Sequence, residues 1–157
     1  METYRFATEM KISASLEEVF RFFSRAENLE RITPPWLRFK ILSPLPIKMK
    51  AGTIIDYRLS LYKLPVHWQT EISLWDPPNR FIDRQRQGPY KNWIHEHTFI
   101  AVDDGCLIRD LVQYELHGAF LSPLINRLFV RKDIQRIFAH RTKIIESIFK
   151  DSFINSQ

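Results

Sequence analysis

The sequence predicts an α+β fold: a curved seven-stranded antiparallel sheet around a long C-terminal helix, with two short helices between strands 1 and 2. Three observations predict it. Six apolar-alternating segments follow one another through short turn-rich links between about residues 37 and 116. One further strand-like segment precedes them, separated by a helical stripe. The last thirty or so residues repeat apolar positions at helical spacing. The whole chain, residues 1–157, reads as one domain.

The first strand is Tyr4–Ile12. Ser15 and Glu18 then form a capping box, each side chain serving the other's free backbone N–H. Leu16, Val19, Phe20 and Phe23 follow as one buried helical stripe. A second helical turn starts near Asn28 and stops at Pro34 and Pro35, which cannot continue it.

Strands are expected at Leu37–Leu42, Thr53–Leu61, Val66–Trp75, Arg80–Gln87, Asn92–Val102 and Leu107–Leu116. The links Asp76–Asn79, Gly88–Pro89 and Asp103–Gly105 carry turn chemistry. The final helix runs from Ser122, a natural N-cap, with Pro123 at the first helical position, to Lys150. At ~1.5 Å per residue it spans about 40 Å. A helix that long needs a broad sheet beneath it, and a curved sheet cannot touch it everywhere. A cavity between the two is expected.

Composition narrows the function. Aromatics make up 13% of the chain, which suits a bulky core or an apolar cavity wall. The single Cys106 excludes an internal disulfide and a cysteine-based zinc site, and favours a reducing compartment. It reads as an inert turn residue. No apolar stretch follows a basic start, so no signal peptide is expected, and the location expected is cytoplasmic. No run approaches the ~18 apolar residues of a membrane span.

Net charge is +5. Arg127, Arg131, Lys132, Arg136, Arg141, Lys143 and Lys150 gather near the C-terminus. They read as the wet face of an amphipathic helix, able at most to dock weakly on an anionic surface. No glycine-rich or aromatic-interleaved basic stretch supports a nucleic-acid partner.

Alternation then assigns faces. The inward sets are Ile55, Tyr57 and Leu59; Trp68, Thr70, Ile72 and Leu74; Phe81, Asp83 and Gln85; Trp93, His95, His97 and Phe99; Ile108, Asp110, Val112 and Tyr114. Phe138 faces them from the helix. The interior is therefore apolar with a small polar set. Unpaired, each polar group would cost a few kcal/mol on burial. An apolar wall with a few convergent polar groups is the composition of a small-molecule pocket.

The segments Ser15–Trp36, Pro77–Phe99 and Asp110–Leu116 carry a resemblance to the START-like, helix-grip superfamily called SRPBCC. The chain is most similar to its bacterial polyketide cyclase/dehydrase-like, ligand-binding branch. The resemblance covers nearly the whole chain. It implies a cavity between the curved sheet and the last helix, and transfers no catalytic residue.

Three readings of the polar set stand beside one another. His95 or His97 beside Asp83 or Asp110 could act as an oriented base for an aldol cyclisation or dehydration. The two histidines and a carboxylate could hold a metal, although neither metal nor cofactor is expected. In the preferred reading the polar groups satisfy one another and orient a hydrophobic small molecule, such as a lipid or polyketide-like compound. The ligand-binding residues expected are Tyr57, Trp68, Phe81, Asp83, Gln85, Trp93, His95, His97, Phe99, Asp110, Val112, Tyr114 and Phe138.

Overall fold

The computed structural model describes residues 2–118 and 122–154. Its elements are β1 (Tyr4–Ile12), α1 (Leu16–Phe23), α2 (Glu27–Ile32), β2 (Lys40–Ile41), β3 (Ile54–Leu61), β4 (Leu64–Asp76), β5 (Arg80–Gln87), β6 (Asn92–Val102), β7 (Gly105–Glu115), α3 (Ser122–Ile125) and α4 (Arg131–Ile154). The strands form one antiparallel sheet in the order β1-β7-β6-β5-β4-β3-β2. The first strand thus closes onto the last, and the sheet curves around the C-terminal helix.

The capping box forms as expected: Ser15 N–H donates to Glu18 Oε2 at 3.0 Å, and Glu18 N–H to Ser15 Oγ at 3.3 Å. The helix it starts buries Val19, Phe20 and Phe23. Phe20 and Phe23 pack onto Phe99, with ring centroids 5.5 and 5.2 Å away. That aromatic cluster makes one end of the interior solid. At the turn into β7, a Cβ on Gly105 would overlap the Ile12 carbonyl, and its φ of +151° suits only glycine.

Five elements depart from the sequence expectation. The strand expected at Leu37–Leu42 shrinks to Lys40–Ile41, because Pro35–Leu37 forms a 3-10 turn and Arg38 takes a left-handed conformation. In β4 the register slips between Ile72 and Leu74, leaving Ser73 as an extra residue. Leu74 then pairs with the outward Ile82, and Trp75 takes the inward place opposite Phe81. Cys106 is not a turn residue: it lies on β7, fully buried, opposite Ile12 and Ala101. Ser122 lies within the first helical turn, and its hydroxyl is hydrogen-bonded to that of Tyr4 at 2.9 Å. Between α3 and α4, residues Asn126–Val130 form a π-helical turn.

Candidate functional site

Four titratable side chains meet on the inner face of the sheet. Asp83 comes from β5, His95 and His97 from β6, and Asp110 from β7. Register brings them together: His95 lies opposite Asp83, and His97 opposite Asp110. Yet the hydrogen bonds run on the diagonals. His95 Nε2 is 2.7 Å from Asp110 Oδ1, and His97 Nε2 is 2.9 Å from Asp83 Oδ2. His97 Nδ1 also lies 2.9 Å from Asp110 Oδ1, but at an angle that makes no hydrogen bond. His95 Nδ1 stands 3.7 Å from Asp83 Oδ2, beyond hydrogen-bond reach. The two imidazoles meet at a tilt of 37°, with centroids 3.7 Å apart, and Phe81 stacks on His97 at 4.2 Å.

Burial and pairing set the charges. Burial opposes ionisation of both carboxyls, but the histidines outweigh it and hold Asp83 low and Asp110 well below the usual range. Burial pushes His95 down, reinforced by the charge on His97. Burial also works against a charge on His97, but the two carboxylates beside it, Asp110 and Asp83, prevail and raise it. The cluster therefore favours its two carboxylates in the ionised form, and a proton on it is held more readily by His97 than by His95. Arg141 of α4 adds a cation that further favours the Asp83 carboxylate.

A cavity of about 520 Å³ opens above this cluster, a size within the range of small-molecule sites. Asp83, His95 and His97 form its polar floor, and Asp110 lies behind them, outside the lining. Tyr57, Trp68 and Trp93 build the sheet wall, while Ile134, Ile137 and Phe138 of α4 form the roof. Tyr57 stacks on Trp68 at 14°, and Trp93 meets Trp68 edge-on at 5.4 Å.

Of the thirteen residues expected, eight line the cavity: Tyr57, Trp68, Phe81, Asp83, Trp93, His95, His97 and Phe138. Five do not. Phe99 belongs to the solid aromatic cluster beneath α1. Val112 packs against Ile134 and Phe138 within the core. Tyr114 uses its hydroxyl to donate to Asn126 Oδ1 at 2.6 Å, tying β7 to the π turn. Asp110 supports the histidines from behind. Gln85 clamps the β5–β6 loop: its Nε2 donates to the Tyr90 carbonyl at 2.7 Å, and Tyr90 N–H returns to its Oε1 at 3.3 Å.

The structure also adds residues that sequence reasoning left outside. Tyr90 lines the cavity from that clamped loop, and Arg141 enters it from the helix face read as wet. Charge alone disguised Arg141. Its guanidinium lies over the Phe138 ring at 5.0 Å, a half-buried placement that the apolar neighbours of position 141 could have suggested.

Donor atoms of Asp83, His95 and His97 lie within 4.8 Å of one another, a two-histidine, one-carboxylate set. Asp83 and His97 are already bonded to each other, and an ion would have to displace that bond.

A family model described as "Polyketide cyclase / dehydrase and lipid transport" matches residues 12–142. No curated protein matches the chain. Among solved structures, TTHA0849 from Thermus thermophilus is similar with a TM-score of 0.70 at 21% identity, covering 95% of this chain and 99% of that one. A norcoclaurine synthase point mutant from Thalictrum flavum, in complex with a transition-state analogue, gives 0.70 at 15%, covering 96% of each. Ginseng major latex-like protein 151 from Panax ginseng gives 0.70 at 13%, covering 94% of this chain and 97% of that one. At these identities the likenesses establish the shared helix-grip fold. Among the described residues, no helix is long and apolar enough to cross a membrane.

Proposed function

The chain belongs to the polyketide cyclase/dehydrase and lipid transport family, and from that premise we propose that it binds a hydrophobic small molecule between sheet and C-terminal helix. The carrying observation is the cavity itself: about 520 Å³, walled largely by aromatic and aliphatic side chains, with Asp83, His95 and His97 gathered at its floor. Apolar walls supply most of the binding free energy. The floor and its rim supply orientation, since a ligand hydroxyl there can donate to His95 Nδ1, which carries no hydrogen bond, and a ligand oxygen can accept from Arg141. A lipid or polyketide-like compound, apolar along its length and oxygenated at one point, suits both. Fluorescence titration with cis-parinaric acid tests this reading. Saturable one-to-one binding is expected, and absence of binding at micromolar protein would overturn it.

A specific observation favours a second reading, catalysis of the cyclase or dehydratase type. His95 is held neutral by burial, and its Nε2 is bonded to Asp110. That bond leaves Nδ1 free of a hydrogen bond at the cavity floor. A neutral imidazole oriented by a buried carboxylate is a general base. Nδ1 would take an α-proton from a bound polyketide-like ketone, and Tyr57 or Arg141 would stabilise the enolate oxygen formed. His95→Ala would then abolish turnover of such a ketone with its binding intact. Loss of binding alone would leave only the first reading.

A further inference from the structure

The start of the C-terminal helix is built inside out. Its buried positions are polar: Ser122 bonds Tyr4, and Asn126 accepts from Tyr114. Its outward positions are apolar: Leu124, Leu128 and Phe129 are 56%, 44% and 52% exposed. A helix facing only water shows the reverse pattern. Across from it, the β3–β4 hairpin tip exposes Tyr62 and Leu64 at 62% and 67%. The Tyr62 and Phe129 rings meet edge to face, centroids 6.4 Å apart, which joins the two segments.

This apolar surface surrounds the cavity mouth. Tyr62 and Leu64 from the hairpin, and Ile125 and Val130 from the helix, also line the cavity. Scattered exposed apolar side chains are ordinary, but a contiguous group on a cavity rim marks a docking site. Cations surround it: Lys63 at the hairpin tip and Arg127, Arg131 and Lys132 on the helix are all exposed. Two acidic neighbours stand beside it: Asp133 is half-buried and lines the cavity, and Glu2 is bonded to the Tyr4 hydroxyl at the start of the helix.

Apolar side chains ringed by cations complement a surface that is oily inside and anionic outside. We infer that this rim docks on an anionic lipid bilayer, so that a hydrophobic ligand passes between bilayer and cavity without crossing water. The inference rests on the hydrophobic-ligand reading for the passage, and on the rim alone for the docking. A bilayer fits better than a second copy of the chain, because two such rims would oppose cation to cation.

Vesicle flotation tests it, using phosphatidylcholine vesicles with and without phosphatidylglycerol. The protein should float with the anionic vesicles, less with the neutral ones, and less again at high salt, since screening weakens surface charge. Leu128→Glu with Phe129→Glu, and separately Lys63→Glu with Arg127→Glu, should each weaken flotation at least tenfold. None of these four residues lines the cavity, so both variants should still bind cis-parinaric acid. Failure of the unaltered protein to float with anionic vesicles would overturn the inference. So would flotation that neither variant weakens, or a concentration-dependent dimer that Phe129→Glu dissolves. Flotation without any cis-parinaric acid binding would keep the docking surface and overturn the cavity reading.

Discussion

His95 Nε2 reaches the carboxylate of Asp110 at 2.7 Å although the residue facing His95 across the β6–β7 ladder is Val112. The bond is diagonal because Asp110 stands opposite His97 and shares one oxygen between both imidazoles. One buried carboxylate therefore holds two rings, and through them the cavity floor.

Removing that charge should be costly. Asp110→Asn leaves the two buried histidines with only Asp83 as a carboxylate partner, and breaking such a buried pair costs about 3–5 kcal/mol. Urea denaturation followed by circular dichroism should show a loss in that range. A change under about 1 kcal/mol would mean that Asp110 is not the anchor described.

The two histidines give opposite pH dependences. His97, raised in the folded state, contributes stability that is present below its unfolded pKa of about 6.5 and lost as pH rises through the folded value. His95, lowered in the folded state, contributes stability above about 6.5 that is lost as pH falls. Asp83 and Asp110 are both lowered, so their contribution is lost only on further acidification through their folded values. The stability gap between the native chain and His97→Gln should thus be wider near about pH 6 than near about pH 9. Equal gaps at both values would contradict a raised His97.

Filling the cavity should separate binding from folding. Ile137 lines the roof and is half-buried, so Ile137→Trp puts an indole into empty space rather than into packed core. Affinity for cis-parinaric acid should fall at least tenfold while the melting temperature moves by only a few degrees. Unchanged affinity would place the ligand elsewhere.

The Gln85 clamp makes a local prediction. Gln85→Leu removes both bonds to the Tyr90 backbone, a loss of about 1 kcal/mol each in net terms. Hydrogen exchange at the Tyr90 amide should accelerate at least tenfold, with global stability less affected. An unchanged rate would mean that the loop is held by its ring contacts alone.

Much of this was legible in the sequence, for identifiable reasons. Strict alternation in β6 and β7 turned Trp93, His95, His97, Phe99 and Asp110 to one face, because neither strand contains a bulge. Ser15 and Glu18 announced their helix because the capping signal is local. The misses have non-local causes. The slip at Ser73 swaps Leu74 for Trp75, and nothing in β4 alone announces a bulge set by its partner strand. Arg38 cuts off the start of a strand-like run by a backbone conformation that its side chain does not advertise. Phe99 and Val112 face inward as read, but whether an inward residue meets cavity or core depends on α1 and α4, which alternation cannot see. Arg141 looked like part of a solvated face because helical position, not charge, decides which side of α4 it occupies.

Native mass spectrometry of the protein purified without detergent tests the central claim most directly. We predict a population carrying one retained apolar molecule, or taking up one added fatty acid, and loss of that adduct in Ile137→Trp. A bare mass throughout, with fatty acid present and the native fold intact, would contradict a ligand-holding cavity over the His–Asp floor.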